Sequence, residues 1–113
     1  MKDMKHLKLQ LRLTFYAADC NGPGIFGKGI AALLRGIEEH GSLNASAKNM
    51  QMAYSKAWRR INDTEASFGF NLITRDGARG SALTPEGKKL LDIFEELEAS
   101  GIEYLNERLS ELI

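Results

Sequence analysis

Four side chains within six residues, Ser55, Lys56, Arg59 and Arg60, bring a hydroxyl, an ammonium and two guanidinium groups close together. On a helix turning about 100° per residue they share one arc with Asn62 and Asp63, with Tyr54 at its N-terminal end. Such groups hydrogen-bond DNA phosphates and base edges, so this arc is a candidate nucleic-acid surface. Arg75 and Arg79 flank Asp76-Gly77, a pair that favours a tight turn with positive φ and would leave both arginines projecting toward a minor groove or a phosphate backbone. Gly22-Pro23-Gly24-Ile25-Phe26-Gly27-Lys28-Gly29 matches two phosphate-binding patterns, G-x-G-x-x-G and G-x-x-x-x-G-K. A P-loop needs Ser or Thr after the lysine, where this chain has Gly29. A dinucleotide fingerprint needs a buried parallel strand before it and an acidic residue at the end of a second strand. The stretch therefore reads as a turn leading into a helix, with Lys28 available to a DNA phosphate and nucleotide binding kept as a rival. His40 beside Glu39 at a helix C-terminus favours the helix dipole rather than a metal, so no metal site is assigned. Ser, His and Asp occur in no nucleophile, base and orienter arrangement, and no catalytic residue or cofactor is expected.

The elements that must position these groups follow from the pattern. Gly41 to Phe68 reads as a short helix capped by Asn44 and ending near Met50, a tight turn, and a helix from Tyr54 to Phe68. In that second helix Tyr54, Ala57, Trp58, Ile61, Glu65 and Phe68 share the side opposite the polar arc. This is a helix-turn-helix. Gly29 to His40 forms a preceding helix with the stripe Ile30, Leu33, Leu34 and Ile37, stopped by Gly41. Leu7, Leu9, Leu11, Leu13 and Phe15 alternate with polar residues, which predicts a half-buried strand from Leu7 to Tyr16. The strand is expected to share a sheet with the segments around Leu72 to Leu83, the alternative being an arm that pairs with its copy in a second subunit. Those segments, Asn71 to Arg75 and Ser81 to Thr84, describe the wing of a winged helix. Thr84-Pro85-Glu86 is a helix start, with Thr84 as cap and proline at the first helical position. From there Leu90, Phe94, Leu97, Gly101, Leu105, Leu109 and Leu112 recur at three- and four-residue steps as far as the chain's end. About 25 such residues would span roughly 37 Å, a seam longer than a small domain covers, and it is the predicted homodimer interface.

Gly41-Ser42-Leu43 with Ala45, Ala47, Met52, Tyr54, Ala57, Trp58, Arg59 and Ile61 resembles the N-terminal DNA-binding domain of the molybdate-responsive ModE regulators. A weaker likeness extends to LysR-type regulators. Together with the basic hairpin and Leu83-Thr84-Pro85-Glu86-Gly87, the resemblance covers about Phe26 to Leu97. Two positions depart from the pattern: Ala53 stands where such proteins usually carry a capping serine, and Gln51 where they often carry glycine. The resemblance implies molybdenum-linked transcriptional control, with molybdate sensing or another effector function left to a separate partner.

With 113 residues the chain has room for one modest core, and its fifteen basic and fifteen acidic side chains cancel. Their distribution is uneven. Residues 1–42, 43–83 and 84–113 carry local net charges of +2, +3 and −5, so the basic excess lies over the helix-turn-helix and hairpin. The one cysteine, Cys20, excludes an intrachain disulfide and suits a reducing cytoplasm, and no apolar run is long enough for a membrane span. The expectation is an α+β, mainly α, winged helix-turn-helix in a single domain over residues 1–113. It divides into an N-terminal strand and Gly-rich loop (1–25), the helix-turn-helix and wing (26–83) and a C-terminal dimerisation helix (84–113). It would act as a cytoplasmic, homodimeric, sequence-specific regulator of double-stranded DNA through Tyr54, Ser55, Lys56, Arg59, Arg60, Arg75 and Arg79. The other rival reading is a protein-interaction module without DNA binding.

Overall fold

The computed structural model describes residues 3–75 and 80–113. Its elements are β1 (Phe15–Tyr16), β2 (Ile25–Phe26), α1 (Lys28–His40), α2 (Leu43–Asn49), α3 (Tyr54–Phe68) and α4 (Pro85–Leu112). Helix dominates because three apolar stripes at helical spacing face one another. Ile30, Leu33, Leu34 and Ile37 of α1, Leu43 and Ala47 of α2, and Ala57 and Ile61 of α3 are all buried, together with Leu91 and Phe94 of α4. Phe26 completes this core, and its ring packs with those of Phe15 and Phe94 at centroid separations of 6.0 and 5.5 Å.

The helix ends follow local chemistry. Gly41 stops α1 in the left-handed region at φ 84°, donating its N–H to Ile37 O. Ser42, not Asn44, caps α2: its backbone is extended and its Oγ accepts from Ala45 N at 3.0 Å, whereas Asn44 lies inside the helix. The sequence reading placed the cap two residues late because a serine and an asparagine are both competent caps. Helices α1 and α2 cross closely at Gly36, where a Cβ would come within 2.1 Å of Ser46 Oγ, itself donating to Leu33 O at 2.8 Å. At the turn Gln51 adopts φ 56°, the one positive φ outside glycine among the described residues. The turn therefore needs a left-handed backbone, the conformation that glycine adopts without steric cost. Ala53 starts α3 without a side-chain cap, leaving that helix to depend on its packing. Thr84 Oγ1 caps α4, accepting from Gly87 N at 2.9 Å, with Pro85 following.

The N-terminal segment differs from expectation. Only Phe15–Tyr16 is strand, and it pairs antiparallel with Ile25–Phe26 rather than with residues 72–83. Ile73 and Leu83 instead face each other in an isolated bridge. The alternation from Leu9 to Phe15 is satisfied by a helix: Leu9 N donates to Asn106 Oδ1 at 3.2 Å, Leu11 sits against Gly101, and the Phe15 ring meets Phe94 edge-on at 5.6 Å. A period of two requires a surface on one side, and α4 supplies it without a ladder. The chain returns from β1 to β2 across α3, because Gly24 lets the backbone lie against Asp63, where a Cβ would meet the carbonyl oxygen at 2.1 Å.

Candidate DNA-binding surface

Helix α3 carries its polar arc as predicted. Ser55, Lys56, Arg59 and Arg60 are exposed, while Ala57 and Ile61 on the other side are fully buried. Among the described residues no acidic side chain pairs with Lys56, Arg59 or Arg60. Elsewhere pairing is common: Lys88 reaches both Asp92 and Glu38, and Arg108 reaches Glu111. Arg60 leans toward the start of α1, its guanidinium lying 3.2 Å from where a Cβ on Gly29 would sit. It therefore flanks the arc, beside a groove of about 900 Å³ whose lining mixes Arg12, Lys28 and Arg60 with Asp63 and Glu98. Tyr54 stands half exposed at the N-terminal end, its ring edge-on to Trp58 at 6.1 Å.

Arg75 is held rather than projecting. Its guanidinium donates to Asn62 Oδ1 at 2.8 Å and Glu65 Oε1 at 2.5 Å and lies over the Trp58 ring, 4.7 Å from the centroid. Glu65 is buried, and its second oxygen accepts the backbone N–H groups of Leu72 at 2.7 Å and Ile73 at 3.3 Å. The sequence reading missed this carboxylate as a functional group. Its signal was there, since Glu65 is the one charged residue on the apolar side of α3. Beyond Arg75, the Asp76-Gly77 turn and Arg79 lie outside the described residues. The root of the hairpin is described: Thr74 N donates to Ala82 O at 2.8 Å, Thr84 N to Leu72 O at 3.0 Å, and Ser81 N to Gly41 O at 3.1 Å. The base of the wing is thus bonded to α3 on one side and to the α1–α2 turn on the other.

In the glycine-rich loop Gly24 N donates to Ser67 Oγ at 2.9 Å, and Ile25 O accepts from Thr64 Oγ1 at 2.8 Å, so this part of its backbone is tied to α3. Among the described residues no group of three or more His, Cys, Asp or Glu side chains is placed to hold a metal ion.

The predicted α4 seam divides in two. Phe94 is in the core of its own chain, Gly101 faces Leu11, and Leu90 and Leu109 are half-buried, so these positions are wholly or partly covered intramolecularly. Leu97, Leu105 and Leu112 are exposed, as are Ile93 and Tyr104, which the seven-residue seam omitted. The difference arises because the N-terminal arm takes one side of the helix. At 100° per residue, Ile93, Leu97 and Tyr104 lie within about 40° of one another and form the uncovered stripe.

Comparison with known proteins agrees with this geometry. The family model described as "Bacterial regulatory helix-turn-helix protein, lysR family" matches residues 31–88. A curated relative, the molybdenum transport protein ModE of Azotobacter vinelandii, is 33% identical over 87 residues, covering 71% of this chain and 32% of that protein. The chain thus spans about a third of the length of that relative. Among solved structures, the CbnR_DBD-DNA complex matches with TM-score 0.59 and 25% identity, over 74% of this chain and 95% of the other. CbnR, a LysR family transcriptional regulator, matches with TM-score 0.56 and 26% identity, over 71% of this chain and 28% of the other.

Proposed function

The chain belongs to the lysR family of bacterial regulatory helix-turn-helix proteins, and from that premise we propose that it reads double-stranded DNA with the start of α3 in the major groove. The observation that carries this is the unpaired cationic face of α3. Lys56 and Arg59 are exposed with no acidic partner among the described residues, on a helix whose other face is locked in the core. Exposed cations without acidic partners are free to neutralise the phosphates of a polyanion, whose condensed counterions are then released. In this reading Tyr54, Ser55, Lys56 and Arg59 face bases and adjacent phosphates, Arg60 holds a flanking phosphate, and Arg79 extends the contact from the wing. Two copies joined through Ile93, Leu97 and Tyr104 of α4, with Leu105 and Leu112 beyond them, would present two α3 helices to half-sites about 34 Å apart. The uncovered stripe supports that pairing, because monomers seldom leave such a surface bare. The free, exposed thiol of Cys20 supports a reducing, cytoplasmic setting, and nothing in the site calls for catalysis.

The test is a titration of the full chain against a randomised pool of duplexes at several salt concentrations. Selection of a preferred duplex is expected, with log affinity falling as log salt rises by about 0.9 per phosphate neutralised. Salt-independent binding, or no preference among duplexes, would sink the proposal and favour a protein-interaction module.

A further inference from the structure

The cationic side chains of the proposed reading surface are not equivalent, and Arg75 is the exception. Among the described residues Lys56 and Arg59 have no acidic partner, but the Arg75 guanidinium is taken up by Asn62, by Glu65 and by the face of Trp58. All three belong to α3, whereas Arg75 opens the wing. Glu65 joins the same two elements a second time through the N–H groups of Leu72 and Ile73. A single buried carboxylate thus gathers two backbone donors and one guanidinium from the segment that leads into the wing. We propose that Glu65 and Arg75 form a clasp that sets the wing against the recognition helix, with Arg75 acting as a positioning residue rather than as a DNA contact.

The geometry gives the clasp its specificity. A guanidinium can donate in two directions within its plane while its face lies on an indole, which an ammonium cannot reproduce. Glu65 is buried beneath the α3 surface and does not face the polar arc, so any effect of its replacement on DNA must travel through the wing. The backbone bonds at the wing base, Thr74 N to Ala82 O and Thr84 N to Leu72 O, carry the position of Leu72 and Ile73 onward to the returning segment. The clasp therefore decides how the described base of the wing, residues 72–75 and 81–84, sits against α3.

This inference rests on the DNA-reading proposal, and the experiment separates the two. The unmodified full chain first selects a preferred duplex from the random pool, and that duplex is titrated with Arg75→Ala, Arg75→Lys, Glu65→Gln and Arg79→Ala. The clasp predicts that the two Arg75 variants and Glu65→Gln all bind about tenfold more weakly, each with the same loss of salt slope as Arg79→Ala. Adding Arg79→Ala to Arg75→Ala should cost less than Arg79→Ala does alone, because the wing is already displaced. A direct phosphate contact predicts the reverse: Arg75→Lys binds normally, Arg75→Ala loses about 0.9 of salt slope, Glu65→Gln is silent, and the two arginine losses add. That result would overturn the clasp and leave the DNA reading intact. If the unmodified chain selects no duplex, the reading fails and the clasp fails with it. Glu65→Gln keeps the acceptor for Leu72 and Ile73, so it tests the proposal even where Arg75→Ala does not fold.

Discussion

Helices α3 and α4 leave opposite kinds of surface uncovered. On α3 the apolar residues are satisfied inside the chain and the exposed cations are not: Ala57 and Ile61 are fully buried while Lys56, Arg59 and Arg60 lack acidic partners among the described residues. On α4 two of the three cations, Lys88 and Arg108, are paired with acids, and it is apolar residues that lack cover. Lys88 bridges Asp92 and Glu38, Arg108 pairs with Glu111, and Glu95 holds Arg35 of α1, yet Ile93, Leu97 and Tyr104 stand in the open. An unmatched charge disfavours nothing in water until a polyanion arrives and releases its counterions. An unmatched apolar stripe is unfavourable at all times and is relieved by another apolar surface. The two helices therefore point to two partners of different chemistry.

That contrast can be broken most severely at Phe94, on the inner side of α4. Phe94→Ala should cost about 3–5 kcal/mol of folding stability, because it empties the site between Phe15 and Phe26. Chemical denaturation reads it directly, and a loss below about 1 kcal/mol would remove Phe94 from the core. Three residues on, Leu97→Glu should leave the monomer folded but abolish pairing, since two carboxylates would face each other across a twofold contact. Sedimentation at micromolar concentration distinguishes the cases, and an unmodified protein that is already monomeric would contradict the assignment of the α4 stripe. Arg59→Ala should weaken specific DNA binding by about 1–3 kcal/mol with no change in stability, provided Arg59 meets a base edge. Equal affinity for the selected duplex would strike Arg59 from the reading set.

The smallest effect is expected where charge is already matched. The Arg35 guanidinium is raised above its ordinary value, chiefly by its hydrogen bond to Glu95, against a smaller opposing effect of desolvation. A raised cation contributes its stabilisation below its unfolded pKa and loses it only as pH climbs through the folded one. Arg35 is therefore charged throughout any working range and makes no pH switch. Both side chains of the pair are substantially exposed, 37% and 43%, so Arg35→Ala should cost no more than about 1 kcal/mol in thermal or chemical unfolding.

The helices could be read in advance because their instructions are local. Tyr54–Phe68 is helical over the expected span, the spacing of Ile30, Leu33, Leu34 and Ile37 marks the buried stripe of α1, and Thr84-Pro85 starts α4. Even the departures at Gln51 and Ala53 were visible, and the structure explains them as a positive φ and an uncapped start. The cationic arc was legible for the same reason, since helical spacing alone puts Ser55, Lys56, Arg59 and Arg60 together. Which strand Phe15–Tyr16 pairs with was not local. Alternation says only that one side of a segment is covered, and a helix covers it as well as a sheet does, so the arm from Leu9 to Phe15 could be assigned only once α4 was in place. The engagement of Arg75 with α3 was not local for the same physical reason. Its sequence neighbours are an Asp-Gly pair and another arginine, while its partners Trp58, Asn62 and Glu65 lie 10 to 17 positions away on a helix. Side-chain period and capping chemistry thus determine where the helices run and which face of α3 is polar. The division of α4 between its own chain and a partner, and the engagement of Arg75, depend on what distant segments bring to the same place, and only the packed tertiary structure decides them.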